Sequence, residues 1–298
     1  ITMYIQSAVS DGLFAGTLSS IPALANVGAI AMAPVKYDVA KTGVIFVNDA
    51  DTSVFTRSAT NTENDSATID SAGNTVGIVP MQSGTVSSFG VVLQNGTAVS
   101  IEQYEIFGAT MATIVDASTT NVSITNQTGG GITGTVNEVK YNDTNGDSFM
   151  DAVIAYTSGA DTFVCVILSD GTDFANTCSP RLDIPNDGTV RDIKFENIVG
   201  DALDDMIILA GDSIYVYENQ NNSTVGLYQA ATILPLKSSN TNLAFDLIDI
   251  DGDNSLDLLV NDIETAGELQ GLTIYYHTNI SGKPVSYTHL RAHETDSY

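Results

Sequence analysis

The chain has 298 residues, an ordinary hydrophobic content of 43% and a formal net charge of −26, from 36 acidic and 10 basic side chains. This length allows one large all-β domain or two average domains. The charge argues against binding to nucleic acid, whose phosphates are neutralised by basic residues, and against an anionic membrane surface. It favours bound cations and an extracellular setting.

The first third of the chain contains faint signs of β-structure. Residues 12–35 lack charged side chains, but polar residues and two prolines interrupt them. A membrane-spanning helix needs about 20 predominantly apolar residues, so we expect no direct membrane insertion. Residues 35–47 and 81–101 each predict a pair of strands, the second with an Asn95-Gly96 turn. A start at Ile1 is compatible with a removed or missing upstream segment, such as a signal peptide.

An acidic loop with alternating oxygen-bearing side chains begins at residue 143. Its first, third, fifth and ninth positions are Asp143, Asn145, Asp147 and Asp151, and an apolar β-type stretch follows directly. Close negative charges repel one another unless a cation lies among them. Calcium takes about six to eight oxygen ligands, which a turn of this kind can largely supply. The loop therefore predicts a calcium site beside a core strand.

The two cysteines flank a turn at residues 169–173. Cys165 and Cys178 are symmetric about the centre of this turn, so they could face each other across paired strands. A disulfide would indicate an oxidising compartment. Two reduced, buried thiols are the other arrangement that this spacing allows.

Two further loops repeat the acidic pattern, since the three loops begin at residues 143, 197 and 249. Each lies between an alternating strand and a stretch typical of a hairpin, such as residues 207–217 with a Gly211-Asp212 turn. The spacing of just over 50 residues is typical of a propeller or a solenoid. The last loop has oxygens at all four positions, namely Asp249, Asp251, Asp253 and Asp257. The middle loop has Val199 at its third position and keeps Asn197, Asp201 and Asp205.

The residues beyond the ninth position distinguish between families of calcium loops. An EF-hand or a dockerin-type loop needs an acid at position 12, where this chain has Ile154 and Val260. A loop whose ninth residue opens a buried strand resembles instead the FG-GAP/VCBS repeat family, the calcium-binding blades of integrin-α-like β-propellers. The resemblance is carried by residues 139–260, and residues 35–138 resemble degenerate blades.

The resemblance implies an all-β fold, a β-propeller fragment of about five four-stranded blades over residues 1–283, which could belong to a seven-bladed propeller. In that family the side chains at positions 1, 3, 5 and 9 and the carbonyl at position 7 bind structural Ca²⁺. The ligands implied here are Asp143, Asn145, Asp147, the Phe149 carbonyl and Asp151, then Asp249, Asp251, Asp253, the Ser255 carbonyl and Asp257. Asn197, Asp201 and Asp205 are weaker candidates. Solvated acidic turns are the alternative, above all for the middle loop.

Residues 284–298 interrupt the pattern. The stretch from Pro284 to Thr295 resembles a translated sequencing-library adapter, so we interpret residues 284–298 as a non-biological tail. The spacing of His289 and His293 therefore predicts no metal site. His277 is then the remaining histidine, in a strand-like stretch.

Motifs of other chemistry are absent from the sequence. It has no G-x-S-x-G elbow, phosphate loop, C-x-x-C or H-E-x-x-H motif, and no catalytic residue is predicted. The resemblance implies a secreted or cell-surface module for adhesion or for binding a protein or glycan ligand, rather than an enzyme. The alternative is a catalytic or non-catalytic part of an extracellular carbohydrate-active enzyme, such as a polysaccharide lyase. The scarcity of basic residues disfavours a lyase, and a passive spacer in a longer surface protein is a third interpretation.

Overall fold

The computed structural model describes the backbone in separate stretches of the chain. These are residues 29–38, 41–48, 53–58, 64–68, 74–83, 86–107, 113–116, 122–123, 131–185, 188–198, 203–222, 226–229, 232–236, 243–250, 252, 256–261, 272–275 and 287–290. Side chains are described within residues 74–81, 88–104, 131–185, 188–198, 203–220, 228–229, 232–236, 243–250, 252 and 256–261.

The described strands of the first half form two antiparallel sheets. Sheet 1 consists of β1 (Ala29–Asp38), β2 (Lys41–Asn48), β3 (Ser53–Ser58) and β4 (Asn64–Thr68), in that order. Sheet 2 consists of β5 (Asn74–Ser83), β6 (Val86–Asn95), β7 (Ala98–Phe107) and β8 (Thr113–Asp116), and β9 (Val122–Ser123) also pairs with β7.

Three further sheets contain the acidic loops. Sheet 3 consists of β10 (Thr135–Asn142), β11 (Asp151–Ser158), β12 (Asp161–Ile167) and β13 (Arg181–Asp183). Sheet 4 begins with β14 (Val190–Glu196), β15 (Asp205–Ala210) and β16 (Ser213–Tyr217). The hairpin of β17 (Asn219–Asn222) and β18 (Gly226–Tyr228) comes before its fourth strand, β19 (Thr232–Pro235). Sheet 5 consists of β20 (Phe245–Ile248), β21 (Asp257–Val260), β22 (Leu272–Tyr275) and β23 (Tyr287–Leu290).

This architecture confirms the predicted fold class. No α-helix occurs among the described residues, and in each of the five sheets four strands follow one another as antiparallel neighbours. Such up-and-down four-stranded sheets are the blades of a β-propeller. The predicted number of about five four-stranded units is therefore confirmed among the described residues, including two sheets in the stretch where the sequence shows only faint signs of β-structure.

Two tight turns fix the register of their hairpins. Asn95 pairs with Ala98 and Ala210 pairs with Ser213, so both turns have two residues. Gly96 and Gly211 have φ values of 60° and 57°, in the left-handed region that glycine adopts without strain. The predicted Gly211-Asp212 turn is confirmed. The first hairpin is also present, but its two turn residues are Gly96 and Thr97, one position beyond the predicted Asn95-Gly96.

The second strands of sheets 3 and 4 lie in the core. Residues 151–156 of β11 and all of β15 are buried, so both strands are covered on two faces. A continuous apolar run is typical of such a strand. Sheets 2 and 3 approach closely, since a Cβ added to Gly77 would lie 2.4 Å from the Cβ of Val139.

The chain divides into two compact units, residues 1–159 with 163–182 and residues 160–162 with 183–298. One continuous module over residues 1–283 stays a prediction. In the second unit β23 lies within the segment interpreted as an adapter-derived tail and pairs with β22. This pairing does not test where the tail comes from. Among the described stretches, no helix has the length and apolar character that crossing a membrane requires.

Candidate metal centre

The three acidic loops occupy equivalent places in successive sheets. Each joins the first strand of its sheet to the second, and its ninth residue opens that second strand. The strand register pairs this ninth residue with the last residue of the first strand: Asn142 with Asp151, Glu196 with Asp205, and Ile248 with Asp257. The repeat seen in the sequence is therefore a repeat of backbone geometry.

The first loop is curled around the carboxylate of Asp143. Its Oδ1 accepts hydrogen bonds from the backbone N–H groups of Gly146 at 2.8 Å and Asp147 at 3.1 Å, and its Oδ2 accepts one from Ser148 at 2.8 Å. Gly146 and Ser148 have φ values of 77° and 74°. Positive φ at a non-glycine residue is uncommon, so these bonds hold a tightly wound turn.

The oxygen-bearing side chains at positions 3 and 5 contact each other. Asn145 Oδ1 accepts from the Asp147 N–H at 3.0 Å, and Asn145 Nδ2 donates to Asp147 Oδ2 at 2.8 Å. Asp147 Oδ1 accepts from the Phe149 N–H at 2.8 Å. The structure thus brings the predicted ligands at positions 1, 3 and 5 into one hydrogen-bonded turn.

The donor set of this turn fits a hard cation. Its predicted ligands are carboxylate, amide and carbonyl oxygens, which calcium prefers. A carboxylate has about four lone-pair sites, so one that accepts two or three hydrogen bonds keeps capacity for an ion. The described residues contain no group of three or more His, Cys, Asp or Glu placed to hold a metal. The predicted set relies in addition on Asn145 and the Phe149 carbonyl.

The ninth residue, Asp151, has a different environment from the rest of the loop. It is fully buried. Its Oδ1 accepts from the Ser169 N–H at 2.8 Å, and its Oδ2 accepts from the Thr144 N–H at 2.9 Å and from the Thr144 hydroxyl. Burial raises the pKa of Asp151 to about 6, although these hydrogen bonds oppose the rise, and the charge of Asp147 adds to it. Asp151 therefore already serves as a backbone acceptor.

The other two ninth residues repeat this arrangement. Asp205 Oδ2 accepts from the Ile198 N–H and its Oδ1 from the Asn219 N–H, both at 2.9 Å, and Asp257 Oδ2 accepts from the Ile250 N–H at 2.9 Å. All three aspartates are fully buried. We call Asp151, Asp205 and Asp257 the buried aspartates. Each ties the second residue of its loop to the start of a core strand.

Comparison with known families locates the repeat within the chain. Residues 197–260 match the family model of an FG-GAP-like repeat, from the first position of the middle loop to the last residue of β21. Residues 197–260 are therefore similar to an FG-GAP-like repeat. The resemblance drawn from the acidic loops is thereby confirmed for residues 197–260.

The chain was also compared with curated proteins and with solved structures. No curated protein matches the chain significantly. The chain is similar to one in the structure titled "Crystal structure of BBS1N in complex with ARL6DN, soaked with mercury", with a TM-score of 0.45 and 10% sequence identity. The similarity covers 82% of this chain and 63% of that one, so the chain spans less than two thirds of that protein's length.

The FG-GAP-like repeat contains the last acidic loop, of which the structure describes a part. Asp249 Oδ1 accepts from the Gly252 N–H at 2.7 Å, as Asp143 does from Gly146, and Gly252 has a φ of 81°. Asn197 is exposed at the start of the middle loop. The other predicted ligands of these two loops, Asp201, Asp251, Asp253 and Ser255, lie outside the described residues.

Sequence reasoning missed the partners of the buried aspartates. Ser169 and Asn219 each lie two residues beyond the end of the third strand of their sheet, β12 and β16. Asn219 is fully buried, and its Nδ2 also donates to the Asp204 carbonyl at 3.2 Å. The hairpins of the sequence contain a signal for these partners. If the second and third strands are joined by a two-residue turn, the residues just after the third strand lie beside the start of the second strand.

A disulfide lies beside the first loop, where the sequence left two arrangements open. Cys165 and Cys178 are bonded, with their Cα atoms 5.3 Å apart, and both residues are fully buried. The bond spans the turn at residues 169–173, which contains Ser169. The FG-GAP-like repeat itself contains no cysteine.

Proposed function

We propose that this chain is a calcium-stabilised β-propeller module that presents loops for adhesion or ligand binding outside the cell. The observation that carries the proposal is the geometry of the first loop. Its oxygens at positions 1, 3 and 5 lie in one turn whose backbone is already held by hydrogen bonds. A loop ordered before the ion arrives loses little conformational entropy on binding.

In this proposal the ion is held by Asp143, Asn145, Asp147 and the Phe149 carbonyl, with Asp151 on the buried side. Bound calcium would supply the positive charge that offsets the repulsion among these carboxylates. The last loop would hold a second ion through Asp249, Asp251, Asp253, the Ser255 carbonyl and Asp257. Extracellular calcium modules bind at about 10⁻⁴ to 10⁻³ M, so at millimolar calcium each ion would contribute roughly 1 kcal/mol or somewhat more.

Two observations support a location outside the cell. A structural disulfide persists in oxidising compartments. A net charge of −26 suits a surface that attracts cations and stays soluble. The ligand would be a protein or a glycan, and we propose no catalytic residue.

Thermal unfolding of the full chain tests the proposal, in EDTA and then in several millimolar calcium, with magnesium as the control ion. We expect a rise in Tm that is selective for calcium. The rise should disappear in the double variant Asp147→Ala/Asp253→Ala, which removes one ligand from each complete loop. A folded chain whose Tm is the same in EDTA and in calcium would overturn the proposal.

A further inference from the structure

The first loop makes two contacts with the turn at residues 169–173. The Ser169 N–H donates to Asp151 Oδ1 at 2.8 Å. The ring of Phe149 lies against Gly171, since a Cβ added there would be 2.3 Å from Phe149 Cε1. Both contacts involve predicted calcium ligands, because Phe149 supplies the carbonyl at position 7. The position of the turn therefore influences the shape of the loop.

The turn is internally bonded. Asp170 Oδ1 accepts from the backbone N–H groups of Thr172 and Asp173, both at 2.8 Å, and from the Thr172 hydroxyl at 2.6 Å. These hydrogen bonds lower the pKa of Asp170, with the Thr172 hydroxyl having the largest effect. Gln103 Nε2 of sheet 2 donates to the Thr172 carbonyl at 3.0 Å. The turn is therefore internally ordered, and its base and the contact with Gln103 both help to fix its position.

The disulfide closes the base of this turn. It joins residues that are 13 apart in sequence. Inside the enclosed segment the Ala175 N–H donates to the Leu168 carbonyl at 2.7 Å, and next to the disulfide the Ser179 N–H donates to the Val166 carbonyl at 2.8 Å. A covalent cross-link restricts the conformations of the segment that it encloses. Opening the bond removes this covalent restriction and leaves the segment held by its hydrogen bonds and by the packing of the buried Phe174.

We propose that the Cys165–Cys178 disulfide sets the calcium affinity of the first loop, so that reducing this bond weakens calcium binding there. The inference rests on the proposed function. A dithiol reductant would form a mixed disulfide with one cysteine and release the other as a thiol. The second thiol of the reductant would then displace the cysteine held in the mixed disulfide, leaving two cysteine thiols and an oxidised reductant. The freed turn would have to be ordered again when the ion binds, which lowers the affinity.

The last loop provides the internal control. The chain has two cysteines, both beside the first loop, so residues 249–257 have no equivalent cross-link. Asp253→Ala leaves the first loop as the reporting site, and Asp147→Ala leaves the last loop. In each background the effect of opening the disulfide is measured at a single site.

The experiment is a calorimetric titration of the full chain with calcium chloride. Cys165→Ala/Cys178→Ala should weaken binding by roughly fivefold or more in the Asp253→Ala background and leave it unchanged in the Asp147→Ala background. A dithiol reductant should reproduce this difference with both cysteines present. Val164→Ala is the matched control, because it truncates a fully buried neighbour on β12 without opening the bond.

A second variant keeps the disulfide intact. Phe149→Ala retains the backbone carbonyl but removes the ring that lies against Gly171, and it should weaken binding at the first loop as well. Hydrogen exchange in EDTA gives a reading without metal, since the amides of Thr144 and Ser169 should exchange faster in the cysteine double variant. If the cysteine double variant does not fold, calcium binding by Phe149→Ala tests the coupling between the turn and the first loop.

The outcomes separate the two proposals. If both loops bind calcium and the first keeps its affinity without the disulfide, the coupling is wrong and the proposed function stands. Equal weakening by Val164→Ala would likewise overturn the coupling, since any destabilisation of β12 would then suffice. If neither loop of the unaltered chain binds calcium, both proposals fail.

Discussion

The first and middle acidic loops share one feature and differ in another. Asp151 and Asp205 are both fully buried and accept hydrogen bonds from the second residue of the loop and from a residue beyond the third strand, at 2.8 to 2.9 Å. At position 3, however, the first loop has Asn145 and the middle loop has Val199. An acid at position 9 is thus present where the ligand set is incomplete. We therefore interpret the acid at position 9 as a structural feature of the sheet, and the oxygens at positions 1, 3 and 5 as the feature that distinguishes the proposed calcium site.

The sheets of the two loops also differ in the segment that comes after the third strand. Sheet 3 has the short turn that is spanned by the disulfide, and sheet 4 has the hairpin of β17 and β18. The buried Asn219 begins that hairpin and bonds to the Asp204 carbonyl through its side chain. We infer that protein hydrogen bonds hold the middle loop, whereas the first loop adds calcium to such bonds.

The largest effect is expected from substituting Asp205. Asp205→Ala would leave the half-buried N–H of Ile198 and the buried N–H of Asn219 without their acceptor, and an unsatisfied buried N–H costs about 1 to 3 kcal/mol. We expect the free energy of unfolding to fall by roughly 3 to 5 kcal/mol, equally in EDTA and in calcium. Urea unfolding measures the change, with Asp204→Ala as the control. A loss seen in calcium but absent in EDTA would make Asp205 a ligand and remove the distinction.

A smaller effect is expected from Asn219→Ala. The substitution removes the side-chain bond to the Asp204 carbonyl but keeps the backbone N–H that donates to Asp205. Because the carbonyl loses a buried partner, stability should fall by about 1 to 2 kcal/mol in urea unfolding. Gln220→Ala, at an exposed position of the same hairpin, should change little. Equal effects of the two substitutions would contradict the role of Asn219.

Val199→Asp tests the difference between the two loops, because it gives the middle loop an oxygen-bearing side chain at position 3. With Asn197, Asp201 and Asp205 already in place, the new carboxylate should create a weak calcium site. The expected gain in stability at millimolar calcium is about 1 kcal/mol, with no gain in EDTA. Thermal unfolding measures the difference, and Val199→Asn should act in the same direction. If neither variant responds to calcium, positions 1, 3 and 5 do not suffice to define a site.

Asp246 is a surface carboxylate with which the buried aspartates can be compared. The Lys194 ammonium lowers its pKa through a hydrogen bond, with help from the Leu247 N–H. A lowered pKa stabilises the fold above the unfolded value of about 4, and this stabilisation is lost as pH falls through the folded value. Because the Asp246 side chain is 69% exposed, Lys194→Ala should cost under about 1 kcal/mol.

The titration of the Asp246 carboxyl group by NMR checks this prediction. In Lys194→Ala its pKa should rise towards the ordinary value for aspartate. Lys140→Ala serves as the control, because Lys140 pairs with Glu138 at 3.2 Å. An unchanged titration of Asp246 after Lys194→Ala would show that the Leu247 N–H alone sets its pKa.

The parts of the fold that could be predicted are those encoded by nearby residues. The turns that begin at Gly96 and Gly211 are set by glycines that accept positive φ, although the first turn lies one residue beyond the predicted Asn95-Gly96. The loop positions and the strand that opens at the ninth residue can be read from a pattern nine residues long. The spacing of these loops indicated the blades.

The parts that could not be predicted depend on residues far apart in sequence. Ser169 lies 18 positions from Asp151, and its partnership depends on the register of the hairpin between them. The close approach of Phe149 to Gly171 depends on how the turn lies against the loop. The hairpin of β17 and β18 begins with Asn219-Gln-Asn-Asn222, which has no β-branched residue to indicate a strand. The cysteine spacing allowed a disulfide but did not require one.

The fourth strand of each sheet is short, and this has a consequence for solubility. Each has five residues or fewer: β4, β8, β13, β19 and β23. An edge strand exposes unpaired backbone groups that can pair with another molecule, and short strands, charges and prolines prevent this. β13 carries Arg181 and Asp183 among its three residues, and β19 ends at Pro235, which has no N–H to donate. At this edge the sheets are poor templates for the strand-to-strand association that begins aggregation.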